Sequence, residues 1–152
     1  MKYIQLQTDS RAIVDDLDFE LVSKYHWHED SKGYVVHSTS RKLGKQTKIR
    51  LHSLVMGAQK GQIVDHKDGN KLDNRRTNLR FATTAQNIAN SRRHCTNKSG
   101  YKGVCWHSRD KIWAAFIKGK HLGYFNTAKE GALAYNEAAL KLFGEFARLN
   151  VV

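Results

Sequence analysis

Proline is absent from the 152 residues, so no position in the chain has a locked φ or lacks its amide hydrogen, and glycine and asparagine must mark the turns. Cysteine is almost absent too. Cys95 and Cys105 show no CxxC spacing, which argues against a disulfide framework and a zinc ribbon; reduced thiols are expected, and any metal must be held by other ligands. No apolar run approaches the roughly 20 residues that cross a bilayer. The N-terminal MKYIQLQTDSR also lacks the apolar stretch of a secretory signal. A cytoplasmic protein with no membrane partner is the expectation.

Acidic side chains are scarce as well: 14 Asp and Glu stand against 26 Lys and Arg, giving a formal charge of +12 and a pI of about 9.9. That balance favours a polyanionic partner, although a generic nucleic-acid binder can be equally basic and charge alone does not imply catalysis. The excess lies downstream. Residues 1–56 carry nine basic and seven acidic side chains, residues 57–95 eight and three, and residues 96–152 nine and four. The length suffices for one ordinary domain or for two or three small ones that must lean on each other or on a ligand.

Residues 1–50 alternate short apolar runs (YIQL, AIVD, LVSKYHWHED, GYVVHSTS, KIRLH) with turn signals, a rhythm that predicts a small antiparallel sheet of hairpins with a turn at Ser31-Lys32-Gly33. Tyr25, Trp27, Tyr34 and Val36 are the candidate core. His26, His28 and His37 lack a ligand spacing and read as packing or surface residues. Weak net charge suggests a scaffold, with DNA contact from Arg41, Lys42, Lys45 and Lys48 as the alternative. From Leu51, LHSLVMG predicts a brief helix ended by Gly57, leading into the strand-like QIVDH. His52 before that helix reads as structural, with a phosphate contact as its functional alternative. Residues 92–99, RRHCTNKS, have no apolar periodicity and read as a linker.

The densest chemistry lies in VDHKDGNKLDNRRTNLRFATTAQN. Phosphodiester hydrolysis needs a water made nucleophilic and charge stabilised on phosphate, tasks that a base and one divalent ion can share. Asp65 offers a carboxylate and Asn87 an amide oxygen, both hard donors. Gly69, Asn70, Asp73 and Asn74 mark tight turns, and Thr83 or Thr84 can cap a short helix carrying Asn87. In a regular strand His66 points to the face opposite Asp65, so both can serve one site only if the chain bends or twists after Ile63-Val64. Arg75, Arg76 and Arg80 flank these residues as candidate phosphate contacts.

With DHKDGN, NLR and the final asparagine in order, and LHSLVMG upstream, residues 51–92 resemble the HNH endonuclease family in its phage and intron-encoded homing branch. The resemblance implies a ββα-metal fold, with His66 as general base, Asp65 and Asn87 as metal ligands, and Asn78 tying the intervening loop and orienting the base. Asn87 stands where many members have histidine. That H-N-N variant is familiar among nicking enzymes and favours one Mg²⁺ (or Mn²⁺) ion per site.

Residues 100–152 are similar to the AP2 DNA-binding domain: SGYKGVCWH, WAAFI and HLGYF match its three strands, and TAKEGALAYNEAALKLFGEFARLN its helix and tail. Thr127 and Glu130 form a T-x-x-E capping box, and Ala128, Ala132, Tyr135, Ala139, Leu142 and Phe143 recur at helical spacing. Trp113, Ala115 and Ile117 should face that helix, leaving Ala114, Phe116 and Lys118 outward. Lys102, Cys105 and His107 on the first strand and His121 on the third are the further outward candidates for DNA contact. Trp106 reads as packing, with stacking on DNA as the alternative.

The expected architecture is therefore α+β: an N-terminal β-rich scaffold (1–50), a ββα-metal HNH module (51–92), a linker (93–99), and an AP2-like three-stranded antiparallel sheet packed on one helix (100–152). The expected function is a metal-dependent DNA endonuclease of homing type acting on double-stranded DNA in the cytosol or nucleoid. One site per chain predicts nicking by a monomer, with a dimer needed to cut both strands together. The competing readings are a non-catalytic sequence-specific DNA-binding regulator with a degenerate HNH module, and an RNA-binding accessory protein, which the lack of an aromatic RNP pattern disfavours.

Overall fold

The computed structural model describes residues 1–39 and 47–152; Arg41, Lys42 and Lys45, weighed above as DNA contacts, lie outside the described residues. The chain divides into two compact units, Met1–Thr84 and Ala85–Val152. The whole is α+β, with small antiparallel sheets and short helices.

In the first unit, β1 (Lys2–Gln5) and β2 (Arg11–Val14) form a hairpin, and β3 (His28–Glu29), β4 (Val35–Ser38) and β5 (Lys48–Arg50) a separate three-stranded sheet in that order. The N-terminal region thus holds two sheets where the pattern suggested one. It also holds a helix the alternation did not foresee, α1 (Asp16–Val22). Asp16 and Asp18 in its first turn suit the positive end of the helix dipole, and Trp27 Nε1 donates to Val22 O at its last turn, 2.8 Å. Trp27 and Val36 are buried as expected. In the 31–33 turn the Asp30 carboxylate accepts from Lys32 N and Tyr34 N at 2.9 and 3.0 Å.

The brief helix α2 (Leu51–Val55) ends before Gly57 and leads to the hairpin of β6 (Ile63–His66) and β7 (Leu79–Ala82). Val64 and Leu79 of this hairpin share one apolar core with Ile4, Val14, Trp27 and Leu51. The N-terminal sheets therefore supply the packing that a four-residue hairpin cannot provide for itself. A backbone stitch adds to it: Ile13 N donates to Leu72 O and Asn74 N to Ile13 O, both at 2.8 Å, tying β2 to the loop between β6 and β7.

The helix α3 (Thr84–Asn90) carries Asn87, as the capping signal predicted. Beyond it, β8 (Val104–His107), β9 (Ile112–Ile117) and β10 (Lys120–Phe125) form an antiparallel sheet with β9 central, and α4 (Ala128–Phe143) packs on it through Ala132, Tyr135 and Ala139. Thr127 Oγ1 accepts from Glu130 N at 3.2 Å, while Glu130 reaches back to Asn126 N. Gly103 makes the close packing possible: its φ is +77°, and a Cβ there would sit 2.2 Å from the Tyr135 ring. Leu142, expected in the buried stripe, is 57% exposed in the last turn, and Phe143 packs on the core instead.

Candidate active site and nucleic-acid face

The β6–β7 ladder pairs Asp65 with Arg80 and His66 with Leu79 without a register shift. The bend expected after Val64 is therefore not seen; the chain turns only beyond His66, where Gly69 N donates to His66 O at 3.0 Å. Alternation holds. Asp65 accepts two hydrogen bonds from its cross-strand neighbour Arg80, whereas His66 meets Asn74, His52 and Tyr34. Both residues are buried, at 7% and 4% exposure.

His66 Nε2 lies 3.2 Å from Asn74 Oδ1, and the His52 ring stands edge-on with centroids 5.0 Å apart. Burial lowers the His66 pKa; the Asn74 bond and the charges of Asp65, Asp68 and Asp73 pull the other way and are outweighed. The neutral form of the ring is thus favoured. His52 is pushed down to about 3, by burial first and then by the neighbouring His66 and Arg50. Its Nδ1 is buried with no hydrogen-bond partner among the described residues.

Asn78 does tie the loop. Its Nδ2 donates to Asp68 Oδ1 and to Asp73 O, both at 2.9 Å, and its Oδ1 accepts from Asp68 N at 3.2 Å. Asn74, which sequence reasoning treated only as a turn marker, places its Oδ1 within hydrogen-bond distance of the His66 ring. A buried amide within a polar loop was the available signal, but burial is not visible in the sequence. Asn87, half-buried on α3, belongs to the second unit, whereas Asp65 and His66 belong to the first. Among the described residues no group of three or more His, Cys, Asp or Glu side chains is placed to hold a metal.

The three flanking arginines all have acidic partners. Arg75 pairs with Asp73, Arg76 with Asp18 and Arg80 with Asp65. The Arg75 guanidinium holds the Asp73 carboxyl below its usual range.

In the second unit, register places Cys105, His107, Ala114, Phe116, His121 and Tyr124 on the sheet face away from α4. Phe116, His121 and Tyr124 form a continuous row, with centroids 5.0 and 4.5 Å apart, and Tyr124 continues to His107 at 5.9 Å. Ala114 also lies on this face but is fully buried, because its methyl on the central strand is flanked by Cys105 and Tyr124. His107 Nδ1 lies 3.1 Å from Asp110 Oδ2. Trp106 is on the helix side, edge-on to Trp113.

Two expected DNA contacts sit elsewhere than on strands. Lys118 occupies the β9–β10 turn with φ 49°, exposed. Lys102 precedes β8, and its Nζ donates to the carbonyls of Ile88 and Ser91 at 3.2 and 2.7 Å and to that of Ala89, closing the end of α3. Burial, aided by Arg148, pushes its pKa down to about 8. Tyr124 was missed because β10 carries a bulge between His121 and Gly123, which shifts the alternation by one and brings Tyr124 onto the face of His121.

The β6–β7 hairpin presents an adjacent aspartate and histidine and is followed in the chain by a short helix bearing an asparagine. The HNH endonuclease family model matches residues 57–89. A protein of Acanthamoeba polyphaga mimivirus named as an uncharacterized HNH endonuclease is 36% identical over 141 residues, covering 87% of this chain and 70% of the viral protein. The chain belongs to the HNH endonuclease family and is a DNA-cleaving enzyme. It is also similar to DNA endonuclease I-HmuI of Bacillus phage SP01, 44% identical over 52 residues, which are 31% of this chain and 30% of that protein. The solved structure of that HNH homing endonuclease aligns over 43% of this chain and 40% of its own with a TM-score of 0.36 and 35% identity. An ethylene-responsive transcription factor of Arabidopsis thaliana is 45% identical over 49 residues, 32% of this chain and 26% of the plant protein.

Proposed function

We propose that the chain is a metal-dependent homing-type endonuclease that nicks double-stranded DNA, with residues 51–92 carrying cleavage, 93–99 joining the parts, and 100–152 choosing the site. The observation that carries this reading is His66, buried with its Nε2 3.2 Å from Asn74 Oδ1, where burial favours the neutral ring. A neutral imidazole is the form that can accept a proton from water. Asp65 and Asn87 would hold one Mg²⁺ or Mn²⁺ ion. The donor chemistry fits: a carboxylate and an amide oxygen are hard ligands, and Mg²⁺ commonly binds through one or two protein oxygens with phosphate oxygens and water filling its shell. When bound, the ion supplies positive charge for the scissile phosphate and the departing oxygen.

The chain's own residues divide the remaining work. His66 takes the proton of the attacking water, Asn78 keeps the 68–73 loop closed beneath it, and Arg80 fixes the Asp65 carboxylate. The outer face of the β8–β9–β10 sheet, with Phe116 and His121 flanked by Cys105, His107 and Lys118, is suited to lie in a DNA groove, where apolar rings meet thymine methyls. Family membership and the similarity to a plant transcription factor support this division of labour.

Incubation of supercoiled plasmid with the protein and Mg²⁺ tests it. Open circles without early linear product are expected, with loss of at least about 100-fold in rate for His66→Ala and strong loss for Asn87→Ala. Equal cleavage by His66→Ala would remove that residue from the mechanism.

A further inference from the structure

We infer that a cavity lined by Arg92, Arg93, Lys102 and Arg148 seats a phosphate of the DNA backbone, so that Arg92 and Arg93, which the sequence places at the start of a linker, grip the substrate. The inference rests on double-stranded DNA as the partner and is independent of how the outer face of the β8–β9–β10 sheet reads bases.

The cavity, about 300 Å³, lies within the second unit, where three stretches separated in sequence converge: 92–93, 100–102 and 148–151. Among the described residues that line it, none is acidic. Like charges gathered in this way raise the local positive potential, and a phosphodiester is the anion that a DNA-cleaving chain meets along its whole substrate. The cations differ in what they have left to offer. Lys102 Nζ is turned to the carbonyls of Ile88, Ala89 and Ser91, so it adds charge to the cavity and closes its frame rather than reaching for a ligand. Arg93 Nη1 donates to Asn97 O at 3.2 Å, and the rest of its guanidinium is open. Arg92 is exposed and makes no hydrogen bond or ion pair among the described residues, so its whole planar fork is available to phosphate oxygens.

Side-chain amides hold the walls. Asn150 N donates to Asn136 Oδ1 at 2.7 Å and Asn150 O accepts from Asn136 Nδ2 at 2.9 Å, while the Asn150 side chain accepts from Lys102 N at 2.6 Å and donates to Lys102 O at 3.1 Å. The 148–151 stretch is thereby pinned to α4 and to the approach to β8. On the other wall, Asn97 Nδ2 and Ser99 Oγ each donate to the carbonyls of Tyr101 and Val104. A frame fixed before binding reduces the ordering that a ligand must otherwise impose. In chain order the contact falls between α3, which carries Asn87, and the β8–β9–β10 sheet. It adds grip without adding sequence choice.

The test is a fluorescence-anisotropy titration of the full chain against a random-sequence duplex of about 20 base pairs, without divalent metal, at salt from roughly 50 to 200 mM. Arg92→Gln/Arg93→Gln should bind about tenfold more weakly and show a salt slope shallower by about 0.9, the value of one lost phosphate contact. Arg92→Lys/Arg93→Lys keeps the charge and should keep the slope. Lys129→Gln/Lys141→Gln removes the same charge from the exposed side of α4 and should leave affinity and slope near native. In ¹H–¹⁵N spectra of the native chain, the Arg92 Nε–H signal should shift as duplex is added; an unmoved signal overturns the inference even if a variant fails to fold. So does a native slope in the double glutamine variant at 92 and 93, or an equal loss in the α4 variant, which would reduce the effect to net charge. A native chain that passes over the duplex and binds single-stranded RNA would overturn the duplex reading together with this contact, whereas intact duplex binding that ignores Arg92 strikes only the contact.

Discussion

Arg80 stands directly across the β6–β7 ladder from Asp65 and sends two hydrogen bonds, 3.1 and 3.0 Å long, into the same carboxylate oxygen. Both side chains are about nine-tenths buried. Removing one member of such a pair leaves a charge stranded out of water, a loss on the order of 3–5 kcal/mol. Arg80→Met should therefore melt well below the native protein. If Asp65 binds a divalent ion, millimolar Mg²⁺ should raise the melting temperature of Arg80→Met more than that of the native chain, because the cation replaces the missing guanidinium. Equal shifts in calorimetry would count against Asp65 as a ligand.

Arg76, a basic residue within the HNH segment, is anchored on acidic side chains at the start of α1. Its Nε and Nη2 donate to both oxygens of the buried Asp18 on α1 at 2.9 and 2.7 Å, and its backbone N donates to Asp15 Oδ2 at 2.8 Å. Arg76→Ala should lower stability by about 2–3 kcal/mol, the guanidinium being half in solvent. DNA affinity of the folded fraction, and its dependence on salt, should stay unchanged. A reduced salt slope in binding titrations would instead return Arg76 to the phosphate contacts.

His52 makes the first unit sensitive to acid. In the unfolded chain its imidazole takes a proton near 6.5, whereas in the folded protein burial delays this to about 3. Between those values the unfolded state binds the extra proton, so stability falls as pH falls through the window and is recovered as pH rises. The loss approaches on the order of 4 kcal/mol at the acid end. His52→Phe keeps a ring against Tyr34 and His66, removes the orphaned Nδ1, and should shift the acid-unfolding midpoint downward. Coincident acid transitions for the two proteins would show that other groups govern acid unfolding.

What was legible in the sequence is what short-range chemistry encodes. The T-x-x-E start of α4, the glycine after α2, the threonine before Asn87, and the alternation in WAAFI all fall where elements begin, end or turn. What was hidden depends on contacts distant in sequence. Asn74 meets His66 only because β2, some 60 residues earlier, draws the 72–74 segment into register. Helix α1 was obscured because its last residues, Leu21 and Val22, were counted within an apparent strand rhythm. Lys102 looked like a groove contact until the end of α3 supplied it with carbonyls.

The bulge in β10 sets the row of rings on the outer face of its sheet. Without it, His121 and Tyr124 would point to opposite sides; with it, they stack at 4.5 Å and extend the row begun by Phe116. These rings are solvent-facing, with Phe116 37% and Tyr124 53% exposed, so Phe116→Ala and Tyr124→Ala should each change stability by no more than about 0.5 kcal/mol. If the row is the reading surface, each should weaken binding to the preferred duplex by about tenfold while leaving weak, salt-dependent binding to random duplex nearly intact. Parallel loss on both duplexes would mean that the rings support general adhesion, and sequence choice would then have to come from other side chains on this face, Cys105 and His107 first among them.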